Sequence, residues 1–291
     1  MKPAPFEYHA PGSVEAAVGL LAELGDGAKV IAGGQSLVPV LAMRLAVFDH
    51  LIDIRRIGAL RGIEERGDCV WIGAGTTEAE IGRSKLIARR VPLLSRATAL
   101  IGHFQIRNRG TIGGSLAHAD PAAEYPAVAL ALDATIEAHS PRGQRSIAAA
   151  DFFTGIWTTA LESDELLTGV CFPSATGKQG FAIEEFARRS GDFAVAGAAV
   201  AVWIDPGGHL SRSAIGLFGL GQTAVRAAAA ESAVAGLSVS DVNPAEIGRA
   251  AVADLGSVPS DLHGTADYRK KVGAAMVARA WERAVKEAVS G

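Results

Sequence analysis

The sequence predicts an α+β chain in two domains. The first runs to about residue 176, and the second, smaller one combines a three-stranded antiparallel sheet with helices. Three observations lead there. Helix-period and strand-period segments alternate up to Pro173; the small polar stretch SATGKQG interrupts them; three long apolar strands and an Ala-rich helical tail follow. At 291 residues the chain exceeds most single cores, and each part is long enough to bury its own.

In chain order, SVEAAVGLLAEL starts with Ser13 as an N-cap, carries Val14, Val18 and Leu21 at helical spacing, and stops at Gly25. KVIA then reads as a buried strand that runs into Gly33-Gly34. Ser36 follows as a cap for a short helix through LVPVLAMRL, with Pro39 tolerated in its first turn. HLIDI and CVWIGAG have strand character, while Thr77 and Glu80 have capping-box spacing and mark a helix start. Helices over Pro92 to Leu100 and Tyr125 to Leu132 flank the stretch RNRGTIGGSLAHADPAAEYP, and TIEAHS and ELLTGVCFP close the first region as strands. Past the linker, FAIEEFARR, FAVAGAAVAVWI and HLSRSAIGLFGLG read as three strands with turns at Ser190-Gly191 and Asp205 to Gly208. From Thr223 on the pattern is helical.

Composition excludes several classes. The net charge is −3 with no run of Lys or Arg, which argues against nucleic acid as a partner. Although 49% of residues are apolar, no stretch approaches the roughly 20 a membrane helix needs. The N-terminal residues lack a signal-peptide pattern, so a cytoplasmic protein is expected. Cys69 and Cys171 lie far apart within apparent strands and read as buried structural thiols. Two cysteines are too few for an iron–sulfur cluster, which usually takes four thiolates, so such a centre would sit on another chain.

Chemistry concentrates in two glycine loops. In AGGQS (Ala32, Gly33, Gly34, Gln35, Ser36) a strand ends in consecutive glycines whose backbone can turn its N–H groups outward and let an anion approach closely. Gln35 and Ser36 add side-chain donors beside the positive end of the following helix. In TIGGS (Thr111, Ile112, Gly113, Gly114, Ser115) the design repeats, and two such loops suit two phosphates. Each taken singly also fits an ordinary tight turn. Neither matches G-x-G-x-x-G or the Walker pattern, so a dinucleotide would need a different fold. Glu124, near a helix start, suits either a ribose hydroxyl or a favourable interaction with the helix N-terminus. His118 and Asp120 form too weak a pattern for a metal. No metal ligand, acid–base pair or catalytic residue is assigned, and no G-x-S-x-G elbow is present.

Together, IAGGQSLVPVLAMRL and IGHFQIRNRGTIGGSLAHADPAAEYPAVALALDA resemble the FAD-binding medium subunits of bacterial molybdenum hydroxylases, the carbon monoxide dehydrogenase, quinoline oxidoreductase and xanthine dehydrogenase group. The likeness extends to RRSGDFAVAGAAVAV and DLHGTADYRKKV. It implies an FAD domain of the vanillyl-alcohol-oxidase (PCMH) type over 1–176, in subdomains of about 1–57 and 58–176. A flavoprotein C-terminal domain over 178–291 would follow. Both loops would grip the pyrophosphate of a non-covalent FAD. Glu124 would contact its sugar or adenine region, Ile101 would lie near the isoalloxazine, and Leu167 would make an apolar contact. Phe193, in Gly191-Asp192-Phe193, stands where relatives have Tyr, and either covers the flavin or belongs to the core. Ile183-Glu184-Glu185-Phe186 lacks the Lys that some relatives place near the flavin.

The resemblance implies an oxidoreductase subunit that receives electrons from iron–sulfur clusters and delivers them through FAD to an acceptor. Its expected partners are a large molybdopterin-binding subunit and a small [2Fe-2S] subunit, in a dimer of heterotrimers, that is, a heterohexamer. Two readings compete. A self-sufficient flavin oxidase or reductase predicts its own substrate pocket with a catalytic base, and a flavin-free phosphate-binding protein predicts a colourless preparation.

Overall fold

A computed structural model describes residues 2–290. Among the described residues the chain lays down three main sheets in succession, with one two-stranded ribbon besides. The first unit contains β1 (Glu7–His9), α1 (Val14–Leu24), β2 (Ala28–Ile31), α2 (Leu37–Ala42) and β3 (His50–Asp53), with its three strands parallel in the order β1-β3-β2. Ser13 caps α1 by accepting from the Ala16 N–H at 3.2 Å, and Gly25 ends it at φ 55°. Val14, Ala17, Val18 and Leu21 then cover Ile52 and Ile54. Two expectations need correction here. KVIA lies at a sheet edge, with Ala28 buried and the rest of β2 partly exposed. Ser36 precedes α2, but its hydroxyl bonds no N–H of the helix.

The second unit opens with β4 (Ile63–Arg66) and β5 (Cys69–Gly73). A helical excursion follows: α3 (Glu78–Arg83), α4 (Lys85–Arg90), α5 (Pro92–Leu100), α6 (Phe104–Arg107), α7 (Ile112–His118) and α8 (Glu124–Ala131). The chain returns through β6 (Thr135–Ser140), β7 (Gly143–Ala148), α9 (Ala149–Phe152), the small ribbon β8 (Phe153–Gly155) and β9 (Thr158–Thr159), and β10 (Leu166–Pro173). An antiparallel sheet results, ordered β4-β5-β10-β6-β7. Thr77 and Glu80 form the expected capping box: the Thr77 hydroxyl accepts from the Glu80 N–H at 3.2 Å, and the Glu80 carboxylate accepts from the Thr77 N–H at 2.8 Å. Cys69 and Cys171 are not the buried thiols expected. Antiparallel pairing of β5 with β10 brings residues 102 apart in sequence to a Cα separation of 5.8 Å, where they form a disulfide.

The third unit is a four-stranded antiparallel sheet of β11 (Gln179–Phe186), β12 (Ala196–Ile204), β13 (Leu210–Phe218) and β14 (Val225–Arg226), with α10 (Ala228–Val234), α11 (Pro244–Ala253) and α12 (Ala266–Ser290). The two-residue β14 joins the three strands that the pattern predicts. Both sheet faces are buried, and strand alternation sorts β12 between them. Ala199 and Ala201 face α8, while Ala198, Val200 and Val202 face the cluster built on Val277 and Trp281 of α12. Close approach depends on glycine at two points. A Cβ on Gly180 would fall 1.7 Å from the Ala284 carbonyl oxygen, and one on Gly216 would fall 2.2 Å from that of Ala127.

α8 is the pivot of the molecule. All eight of its residues are buried, so it is apolar nearly all round, as a helix enclosed on every side must be. Polar clamps complete the junction. Arg96 on α5 donates to both oxygens of Glu287 on α12 at 2.6 and 2.7 Å, and Arg226 reaches the Leu130 carbonyl at 2.7 Å and Asp133 at 2.8 Å. No helix among the described residues is long and apolar enough to cross a membrane.

Candidate functional site

The two glycine loops, some 80 residues apart in sequence, meet in space. A Cβ on Gly33 would lie 2.2 Å from the Arg109 carbonyl oxygen and 2.8 Å from the Gly110 Cα, so the backbones of the loops touch where a side chain would stand. A Cβ on Gly114 would face that of Ala32 at 3.8 Å. Gly34 takes φ +74°, which turns the first loop sharply, and Gln35 Nε2 ties back to the Gly33 carbonyl at 3.0 Å.

Their amides divide the work unequally. Among the described residues, no protein acceptor receives the N–H groups of Gly33, Gly34, Gln35 or Ser36. Four consecutive unpaired donors at a strand-to-helix turn form the anion nest expected there. The second loop differs, because it is already the first turn of α7. Ile112 N–H donates to Thr76 at 3.2 Å, Gly113 to Ala74 at 2.9 Å, Gly114 to the Thr111 hydroxyl at 3.1 Å and Ser115 to the Thr111 carbonyl at 2.9 Å. Its glycines serve packing: a Cβ on Gly113 would sit 2.5 Å from that of Ala74. The second loop is therefore a rigid wall beside the donors of the first.

Three carboxyl groups far apart in sequence lose water near the site, Glu78 directly against Gly110. Glu78 begins α3 and is 4% exposed; its N–H donates to the Gly110 carbonyl at 2.9 Å, and its Oε2 has no hydrogen-bond partner. Burial raises its pKa to about 7 despite the positive charge of Arg107. Glu124 begins α8 and is 9% exposed; burial pushes it to about 8, and the nearby charges of Glu185, Glu78 and Asp120 add to the rise. Glu185 on β11, within the segment that lacks the Lys, is raised to about 7 by burial and also has an unpartnered Oε2. Each Glu alone reads as an ordinary helix-start or strand residue, which is why periodicity missed the group. Tyr125 closes the floor, its hydroxyl 2.8 Å from that of Thr98.

A cleft opens beside the second loop. Gly102, His103, Phe104, Arg107 and Ser190 line a cavity of about 410 Å³. Arg107 braces its rim by donating to the Ile101 and Gly102 carbonyls at 2.7 and 3.0 Å, which leaves Ile101 half-buried at the end of α5. The turn between β11 and β12 seats against it: a Cβ on Gly191 would be 2.5 Å from the His103 ring. Phe193 on that turn is 65% exposed, which excludes the core alternative. Leu167 does the reverse and packs in the core, paired with Ala138, while the next residue, Thr168, accepts from the Ala74 N–H under Gly113. His118 ends α7, and Asp120 lies just beyond it. The His118 ring stacks on Trp157 with centroids 6.3 Å apart, and Asp120 accepts from the Ala122 N–H at 2.8 Å.

Comparison with known proteins gives consistent matches. The model of the FAD-binding domain in molybdopterin dehydrogenase matches residues 4–175, and that of the carbon monoxide dehydrogenase flavoprotein C-terminal domain matches residues 181–284. The chain is 44% identical over 288 residues to the 6-hydroxypseudooxynicotine dehydrogenase complex subunit alpha of Paenarthrobacter nicotinovorans, covering 99% of this chain and 97% of that one. It is 41% identical to the carbon monoxide dehydrogenase medium chain of Hydrogenophaga pseudoflava, over 96% and 97% of the two chains. Among solved structures, carbon monoxide dehydrogenase from H. pseudoflava superposes with a TM-score of 0.95 at 42% identity over 99% of each chain. Quinoline 2-oxidoreductase from Pseudomonas putida 86 superposes with a TM-score of 0.92 at 35% identity over 99% of each chain.

Proposed function

The chain belongs to the FAD-binding medium subunits of the carbon monoxide dehydrogenase and molybdenum hydroxylase family, and from that premise we propose that it is the electron-transfer subunit of a molybdopterin-dependent hydroxylase or dehydrogenase. One observation carries the reading: four consecutive unpaired amides, Gly33 to Ser36, begin at a glycine whose backbone meets that of Arg109 and Gly110 at the entry to the second loop. That donor set fits a pyrophosphate, because consecutive N–H groups neutralise anionic oxygens without a side-chain charge.

Within this proposal, Ala32 to Ser36 hold the pyrophosphate of FAD while Thr111 to Ser115 limit its position. Glu124 meets the hydroxyl-bearing part of the cofactor, and Ile101 and Phe193 flank the flavin ring. When bound, FAD supplies the ability to take up electrons and pass them to an external acceptor. The chain's own residues orient it, line the cleft beside it, and hold neutral carboxyls nearby. At neutral pH a protonated Glu124 can donate one hydrogen bond and accept another, which suits a hydroxyl partner. Residues 1–176 would form the FAD domain, subdivided near residue 57, and 178–291 the C-terminal domain.

The donor of electrons would be an iron–sulfur subunit and the hydroxylating centre a molybdopterin subunit, assembled as a dimer of heterotrimers in the cytoplasm. A visible spectrum of the purified chain tests the flavin assignment: bands that persist through gel filtration and are released on acid denaturation are expected, and a colourless protein that does not take up added FAD would refute it. Native mass measurement after co-expression with its neighbouring genes tests the assembly. Full substrate turnover by the isolated chain would favour the self-sufficient oxidase instead.

A further inference from the structure

We propose that Glu7, His9 and His50 form a divalent-metal site on the N-terminal sheet, taking Zn²⁺ or a similar first-row cation. Parallel pairing of β1 with β3 sets Glu7 opposite His50, and the two-residue strand period returns His9 to the same face. His9 Nε2 lies 3.2 Å from His50 Nδ1, and the Glu7 carboxylate lies 3.4 Å from that same nitrogen. One potential ligand atom from each of the three residues falls within 4.8 Å of the other two.

These separations carry chemical information. A tetrahedral centre with Zn–N and Zn–O bonds of about 2.0–2.1 Å has ligand-to-ligand edges of about 3.3–3.4 Å, close to both short separations. The rings are inclined at 49° with centroids 5.3 Å apart, so they converge instead of stacking. Protons alone satisfy the trio poorly. If neutral His50 Nδ1 accepts from His9, its lone pair side faces the Glu7 carboxylate; if it donates, a single N–H must serve both neighbours. A cation resolves the conflict by accepting a lone pair from all three groups. Two imidazoles and a carboxylate suit Zn²⁺, Co²⁺ or Cu²⁺ better than Mg²⁺ or Ca²⁺. The Glu7 side chain is 75% exposed, which leaves room for a water as fourth ligand. Bound metal would pin the three-residue edge strand β1 to the middle strand of its sheet.

The test uses the full chain, treated with a chelator and then titrated with Zn²⁺ by calorimetry and with Co²⁺ by visible absorption. One equivalent per chain is expected in the wild type, with tetrahedral cobalt bands and a higher melting temperature for the loaded protein. Loss of an outer-shell partner typically weakens a metal site by about 10–100-fold, so removing a ligand, in His9→Ala or His50→Ala, should weaken it by more than about 100-fold. Glu7→Gln, a change at an exposed residue that leaves the fold intact, should weaken it as well. Flavin content should be the same in every variant. Equal stoichiometry and affinity in the His9→Ala/His50→Ala double variant would overturn the site, as would a wild-type chain that gives neither heat nor cobalt bands.

Discussion

Gly33 has no room for a side chain, because its missing Cβ is replaced by the carbonyl of Arg109. Gly33→Ala should force the loops apart, at a cost of about 1–3 kcal/mol in stability, and should raise the dissociation constant for FAD by at least about tenfold, equivalent to about 1.4 kcal/mol. Fluorescence titration of the apo chain, alongside its melting temperature, separates the two effects. Gly114→Val presses on the Thr111 hydroxyl, 2.9 Å from the new Cβ, and is expected to abolish flavin binding while the C-terminal unit remains folded. Normal flavin content in that variant would count against the assignment of the loops. Glu124 gives a more discriminating test. Since burial favours its neutral form, Glu124→Gln should bind FAD within about tenfold of wild type, whereas Glu124→Ala, which leaves hydroxyl groups unpaired, should lose about 1–3 kcal/mol of binding. A Gln variant as weak as the Ala variant would show that the carboxylate is the working form.

Most helices were legible because their signals are local. The Ser13 cap, the Thr77–Glu80 capping box and Pro92 at the start of α5 each sit within one turn of the boundary they set. The short strands β1, β4 and β7 were not legible, since pairing partners supply what their three to six residues lack. Leu167 and Phe193 show the limit for side chains. Both are apolar residues assigned to the cofactor by likeness, yet one is in the core and the other projects from a turn. α12 carries its own prediction. Trp281 is 1% exposed and central to the cluster that covers the C-terminal sheet, so Trp281→Ala should destabilise the protein by about 3–5 kcal/mol. Circular dichroism during urea unfolding would register this as a lower midpoint.

Across the whole molecule, the buried carboxyls give stability a particular pH dependence. Glu78, Glu124 and Glu185 have folded-state pKa values of about 7, 8 and 7, above the usual carboxylate range. The folded chain therefore holds protons that the unfolded chain releases, and the stability this contributes is present at low pH and lost as pH rises through the folded values. His118, held down by burial, acts in the opposite sense, but its window lies below about pH 6.5. Between pH 6.5 and 8 the flavin-free chain should lose stability with a slope approaching about 1.4 kcal/mol per pH unit for each proton released. Urea melts across that range measure the slope, and Glu78→Gln with Glu124→Gln should flatten it. A slope unchanged in the double variant would place the titrating groups elsewhere.

Sequence alone determined the α+β class, the helix boundaries with local caps, and the two glycine loops whose pairing led to the family. Those features depend on neighbours within a few residues or on short contiguous motifs. Tertiary structure decided which glycine amides remain available, since the second loop uses its own in α7 and the first does not. It also decided that Cys69 meets Cys171, that α8 is buried on every side, and that the charges of Glu185 and Glu78 fall near enough to the buried Glu124 to raise it. The physical reason is common to all of these. Burial and long-range pairing depend on where distant segments come to rest, and a carboxyl carries no mark in the sequence of the water it will lose.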